Sequence, residues 1–230
     1  MDVGGLEMVE TKDPKTNEVY ALLKDKIVSL QYMPGQILIV QHLSEKHGFS
    51  RTPVREALVR LRDEGLLEDA DGRKFRVKPI TWKLISDIYD ARKAIEMLAA
   101  QTVAETVSVS QLQDMRNIVD EMQKNYDNHN FNQYFQSDLN FHNKLIELSG
   151  NEVLKSWMDR INDQQQRIRY LTTNLHSRIE QSMPEHYHIV EKLEQRDGKG
   201  AMEMVSQHLT LARADILSQR ENGSFFGIQD

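Results

Sequence analysis

The sequence predicts a mainly α-helical chain of two domains: an N-terminal unit of three helices with a small β-hairpin, then an all-α antiparallel helical bundle. Three observations predict it. Four of the five prolines, Pro14, Pro34, Pro53 and Pro79, fall in the first eighty residues, and Pro184 alone lies beyond them. Strand-like patterns occur only between Ile37 and Val77, whereas after Thr81 the apolar residues recur at helical spacing over long stretches. The charge divides at the same place. Of 29 Lys and Arg against 35 Asp and Glu, residues 1–80 hold 13 and 13, which leaves 16 against 22, and the whole net charge of -6, to the remainder. A boundary is therefore expected near Pro79-Ile80-Thr81, with a flexible tail at 1–12, a first domain at 13–80, a second at 81–220 and a tail at 221–230.

In the first domain, Val19, Leu22, Leu23, Ile27 and Leu30 share helical spacing, and the helix is expected to stop before the turn signal Met33-Pro34-Gly35. An extended piece, Ile37 to Val40, precedes two short helices at about Gln41 to Lys46 and Thr52 to Glu64. Ser50 or Thr52 can cap the second of these, Pro53 suits its first turn, and Gly65 suits a left-handed C-terminal residue. Leu66 to Glu68 and Lys74 to Val77 then read as two short strands around a glycine turn at Gly72. The order is that of a winged helix-turn-helix.

Composition narrows the chemistry. No apolar run approaches the roughly 18 residues a membrane span needs, and the first twenty residues lack a signal-peptide pattern. No membrane association is expected, and a cytoplasmic location is. With no cysteine, thiolate metal sites and cysteine nucleophiles are excluded, leaving His, Asp and Glu as metal ligands. The acidic balance argues against a generally basic nucleic-acid coat, though not against a local basic surface.

Such a surface is present on the helix from Thr52 to Glu64. Val54, Ala57, Leu58 and Leu61 form its apolar face, while Arg51, Arg55 and Arg62 run along one flank. Arg51 and Arg55 project from the N-terminal end, which a helix-turn-helix protein inserts into the major groove, where arginine can donate two bonds to guanine or one to phosphate. Arg73 and Lys74 at the hairpin tip suit flanking backbone. A solvated charged face is the competing reading of the arginines.

The run "MPGQILIVQHLSEKHGFSRTPVREALVRLRDEGLLE" resembles the winged-helix domain of the GntR family of bacterial transcription regulators. The resemblance implies that Arg51 and Arg55 are the main DNA contacts, Thr52 a phosphate contact, and Gly72 the wing turn. Many members carry a basic residue before the leucine of the second helix, where this chain has Gln41 or His42.

The second domain places polar residues on apolar helical faces. On the helix around Phe131 to Leu148, Asp138 and His142 lie four apart within the stripe of Phe135, Leu139, Leu145 and Ile146. After Pro184, His186 aligns with Ile189, Val190 and Leu193, and His188 points away; on the last long helix His208 aligns with Ala201, Met204, Leu211 and Ala212. Three helices thus aim metal-type side chains at one interior. Three imidazoles and a carboxylate suit a divalent transition ion, zinc first, with nickel or manganese as alternatives, and core histidines satisfied by neighbours are the competing reading. On the helix from Trp82 to Glu105, Arg92 and Glu96 sit mid-stripe, either as a simple ion pair or with Arg92 clamping the carboxylate of a small effector. Arg167, Arg169 and Tyr170 lie on a further helix that could line the same interior.

This half, from about Ile85 to Ile216, resembles the FCD-type ligand-binding domain of the FadR subfamily, through "IYDARKAIEMLAA", "DLNFHNKLIELSGN", "EHYHIVEKLEQRD" and His208. The resemblance implies a metal held by Asp138, His142, His186 and His208, and an effector among small carboxylic acids. The expected function is ligand-responsive regulation of transcription, as repressor or activator: a homodimer binds double-stranded operator DNA of pseudo-palindromic sequence, in the bacterial cytoplasm on the nucleoid, and an effector carboxylate bound at the metal and at Arg92 and Glu96 modulates it. Not an enzyme is the expectation; the alternatives are a metal-dependent enzyme using Glu96 as general base, or a regulator whose metal is purely structural.

Overall fold

The computed structural model describes residues 14–171, 176–220 and 228–229, and they divide into two compact units between Pro79 and Ile80. The expected tail at 1–12 lies outside the described residues.

The first unit holds α1 (Pro14–Val28), β1 (Ile37–Leu38), α2 (Val40–His47), α3 (Arg51–Asp63), β2 (Leu67–Ala70) and β3 (Lys74–Val77). Helix α1 ends earlier than its apolar spacing suggests, because Leu30 adopts a left-handed φ of 58° and turns the chain. Gly48, at φ 73°, closes α2 by donating its N–H to the Ser44 carbonyl, and Gly65 closes α3 in the same backbone region. Ser50 takes the N-cap position of α3 without a side-chain cap bond. The strands pair antiparallel in the order β1-β3-β2, with Asp69 opposite Phe75 and Ala70 opposite Lys74. Strand β2 therefore runs two residues further than expected. Asp69 shares a face with Leu67 and Phe75 but sits near the hairpin tip, where it is exposed and a poor strand former is tolerated. Val19, Leu23 and Ile27 of α1, Val54, Leu58 and Leu61 of α3, and Phe75 and Val77 of β3 make one core, which holds the end of α3 against the hairpin.

The second unit holds β4 (Ile80–Thr81), α4 (Trp82–Thr106), α5 (Val109–Asp127), α6 (Phe131–Leu148), α7 (Glu152–Leu171), α8 (His176–Glu194), α9 (Gly198–Ser218) and β5 (Ile228–Gln229). Local chemistry sets the starts: Thr81 Oγ1 accepts from Leu84 N, Ser108 and Gln111 form a reciprocal capping box, and Asp197 accepts from Gly200 N. Helix α4 packs against α6, α7, α8 and α9, so its stripe of Ile85, Ile88, Ile95, Ala99 and Val103 runs through the middle of the bundle. Two expectations are corrected. Helix α8 begins at His176 and continues through Pro184 instead of starting after it; Pro184 is exposed, whereas Ile179, Met183, Ile189 and Val190 on the buried side anchor both halves of the helix. The segment 221–230 is not wholly a tail, since Ile228 and Gln229 pair parallel with Ile80 and Thr81; residues 221–227 and 230 lie outside the described residues. Among the described residues no helix is long and apolar enough to cross a membrane.

Candidate functional site

In the first unit, Arg51, Thr52, Arg55, Gly72, Arg73 and Lys74 line one shallow concavity together with Ile39, Val40 and Gln41. The helix start and the hairpin tip thus present one basic surface. Gly72 and Arg73 both hold positive φ, 70° and 63°, the tight turn that projects the tip. Arg51 and Arg55 are exposed and make no hydrogen bond or ion pair among the described residues. Arg62, on the same flank by sequence, is different: its guanidinium is held by Asp63 at 2.8 Å and by Asp69 at 3.4 Å. Helical spacing alone groups the three arginines, and the hairpin separates them by supplying Asp69.

In the second unit, Asp138 and His142 of α6, His186 of α8 and His208 of α9 converge so that one ligating atom from each lies within 4.8 Å of all the others. Their ring centroids are 5.6 Å apart for His142–His186, 5.3 Å for His142–His208 and 4.4 Å for His186–His208. Each imidazole has its Nδ1 against an acceptor: Glu96 Oε2 at 2.5 Å for His142, the Ser182 carbonyl at 2.8 Å for His186, and Glu185 Oε2 at 2.7 Å for His208. In the neutral ring an Nδ1–H donating outward leaves the lone pair on Nε2. His142 Nε2 and His186 Nε2 lie 3.8 Å and 3.3 Å from Asp138 Oδ1. His186 Nε2 is buried and has no aligned hydrogen bond among the described residues. A buried nitrogen with a free lone pair, facing a carboxylate and two further imidazoles, is the chemistry of a metal ligand. Two ligands at roughly 2.1 Å from one ion stand at most about 4.2 Å apart, so small side-chain shifts suffice. The residues fit a divalent transition ion.

At His208 the electrostatics support the same neutral state. Burial, with His186 close by, drives His208 down to about 3 and keeps it neutral. Burial alone would raise Asp138, but His186, His142 and Arg169 together hold it well below the usual carboxylate range. Glu96 and Glu185 behave alike: burial opposes ionisation, yet Arg92 with His142, and His208 with Arg178, bring each to about 2.

Asp138, His142 and His208 also line a cavity of about 100 Å³, along with Tyr89, Arg92, Arg169 and Arg178. Arg92 is 2% exposed; its Nε donates to Glu96 Oε1 at 2.8 Å, and its Nη2 is buried without a hydrogen-bond partner among the described residues. Glu96, expected beside Arg92 as an effector contact, lies behind Arg92. It is 0% exposed and is absent from that lining, because one oxygen is taken by Arg92 and the other by His142. The same engagement removes it as a free general base. Sequence reasoning missed Glu185 and Arg178, which ion-pair with each other and, through Glu185, hold His208. Their seven-residue spacing, two helical turns, was the available signal, hidden by the expectation that Pro184 starts the helix. Arg169 lies in the lining and reaches Asp138 Oδ2 at 3.2 Å. His188 is exposed and points away from the cluster.

Comparison with known proteins places each unit. The FCD domain matches residues 87–211, and the bacterial regulatory proteins of the gntR family match residues 15–77. The HTH-type transcriptional repressor RspR of Escherichia coli (strain K12) is 25% identical over 211 residues, 92% of either chain. The solved structure of E. coli McbR/YncC superposes with a TM-score of 0.74 at 22% identity, covering 91% of this chain and 100% of that one. A structure described as the metal-free FCD domain of TM0439 superposes at 0.50 with 22% identity, covering 62% of this chain and 98% of that one.

Proposed function

Because the chain belongs to the GntR family of bacterial transcription regulators and carries an FCD domain, we propose that it is a metal-dependent, effector-responsive regulator acting on operator DNA. The family binds DNA through the helix-turn-helix domain. In this reading Arg51 and Arg55 enter the major groove, Thr52 contacts phosphate, and Gly72 and Arg73 carry the wing along the flanking backbone. A homodimer reads a pseudo-palindromic operator, since two equivalent half-sites match a two-fold axis. Action on chromosomal DNA implies the cytoplasm, and repression is the mode named for RspR.

Asp138, His142, His186 and His208 would hold the ion, zinc first by donor set, with nickel or manganese as alternatives. Once bound, the ion offers a Lewis-acid position to an anionic ligand. The observation that carries the effector reading is that Arg92, whose Nη2 is buried and unpartnered among the described residues, lines the same cavity as three members of the metal cluster. A guanidinium nitrogen so placed is matched by a carboxylate. The small cavity favours a short acid over a long acyl chain. Such a ligand shifts DNA affinity only by binding two states of the dimer unequally. A purely structural ion is the second reading, favoured by its ligands coming from three helices, α6, α8 and α9.

The test is elemental analysis of untagged protein beside His142→Ala, followed by operator binding with and without short carboxylic acids. About one ion per chain, lost in the variant, and an acid-dependent change in operator affinity are expected. An ion retained by both proteins would overturn the ligand set, and operator affinity indifferent to every acid would leave the structural reading.

A further inference from the structure

The basic concavity of the first unit has an apolar edge. Of the residues that line it, Gln41, Arg51, Thr52, Arg55, Arg73 and Lys74 are polar or charged and exposed, whereas Ile39 and Val40 are aliphatic and half-buried. Val40 packs against the core of the unit; Ile39 is not part of that packing among the described residues. The direction of its side chain follows from the backbone. Leu38 is 2% exposed and faces the core, and Ile39 continues the extended chain of β1 at φ -117° and ψ 123°. Its side chain therefore leaves on the opposite side, as that of the exposed Ile37 does. Ile39 is also the N-cap residue of α2, where it makes no side-chain cap bond. Serine, threonine, aspartate or asparagine there could satisfy a helix N–H that isoleucine cannot. An isoleucine at this position thus joins neither the core nor the cap, and it stands on the surface that carries Arg51 and Arg55.

Contacts to DNA are mostly polar, because phosphates and most base-edge groups are polar. An aliphatic side chain pressed against a phosphate would strip water from an anion without replacing its hydrogen bonds. The major-groove edge offers one apolar group, the C5-methyl of thymine, and aliphatic side chains contact it. We propose that Ile39 reads a thymine methyl in each operator half-site, beside the bases met by Arg51 and Arg55, so that the start of α2 adds sequence specificity to that of α3. This rests on the reading of Arg51 and Arg55 as groove contacts. The arginines select guanine through N7 and O6; Ile39 selects the base that carries a methyl.

The test starts with duplexes selected from a random pool by the full chain, with zinc supplied. Each thymine of the selected operator is then replaced singly by deoxyuridine, which removes the methyl alone, and electrophoretic mobility shift at fixed salt reads the affinities. At one thymine per half-site the replacement is expected to weaken wild-type binding about fourfold, the worth of one buried methyl-sized group. Ile39→Ala is expected to weaken binding to the thymine duplex by a similar factor, and to bind the thymine and deoxyuridine duplexes equally. Ile39→Ser supplies a helix cap and keeps the fold, checked by melting, and is expected to lose the same distinction. Wild-type affinity indifferent to every replacement, or a distinction that survives in both variants, overturns the thymine contact alone. An equal loss by Ile39→Ala on the operator and on an unrelated duplex assigns Ile39 to the sugar–phosphate backbone, which overturns it too. If the pool yields no preferred sequence, or Arg55→Ala binds the selected duplex as the wild type does, the groove reading falls and the thymine contact with it.

Discussion

Glu96 holds His142 from behind: its Oε2 lies 2.5 Å from His142 Nδ1 while its Oε1 accepts from Arg92 Nε. The carboxylate fixes which imidazole nitrogen carries the proton and aims the other at Asp138, His186 and His208. Substituting such a partner typically weakens metal affinity about 10- to 100-fold. Glu96→Gln is expected to fall in that range, measured by competition against a chromophoric chelator. Affinity equal to wild type would show that packing alone orients the ring.

His186→Ala removes the buried nitrogen that lacks an aligned hydrogen bond. We expect loss of the ion and of any acid-dependent change in operator affinity, while the first unit keeps its fold. Metal content and far-ultraviolet circular dichroism together check this. A variant that retains one ion per chain would show the ligand set to be wrong.

Arg55 and Arg62 share a flank but not a state. Arg55 is exposed and without a partner among the described residues, whereas Asp63 and Asp69 hold Arg62. Arg55→Ala is expected to abolish specific operator binding, and Arg62→Ala to leave it within about twofold, because a side chain already paired has less to give DNA. Electrophoretic mobility shift at fixed salt makes the comparison. Equal losses would mean that the flank acts only as diffuse charge.

Acid should destabilise the metal-free bundle early. His208 is held to about 3 in the folded chain, against roughly 6.5 when unfolded. Below that higher value the unfolded chain takes a proton that the folded chain refuses, so stability present above it is lost as pH falls. The unfolding equilibrium should shift by close to tenfold per pH unit in that window. Urea unfolding after chelation between about pH 6.5 and 5 tests it, before carboxylates begin to titrate. His208→Asn should flatten the slope, and an unchanged slope would assign the effect to another group.

Much of this molecule can be read from spacing. Asp138 and His142 are one helical turn apart, and His186 and His208 each align with apolar residues, so their convergence follows from burying the stripes of α6, α8 and α9. Two of the partners behind the rings were harder to see. Ser182 serves through its carbonyl, which no residue type announces, and Glu185 acts within a helix whose start Pro184 disguises. Glu96 was visible as the mate of Arg92, but its second bond, to a residue 46 positions away, depends on how α4 meets α6. Likewise, helix periodicity marks the flank with Arg62 on it, and only strand register brings Asp69 within reach.

The two hydrophobic cores have no residue in common, and all four metal-type side chains belong to the unit built on the second. An ion joining α6, α8 and α9 would add its binding free energy to the stability of that unit. A calorimetric scan of the full chain thus carries its own reference. Chelation should slide one melting transition down the temperature axis and leave the other in place, so a single sample distinguishes loss of the ion from general damage to the protein.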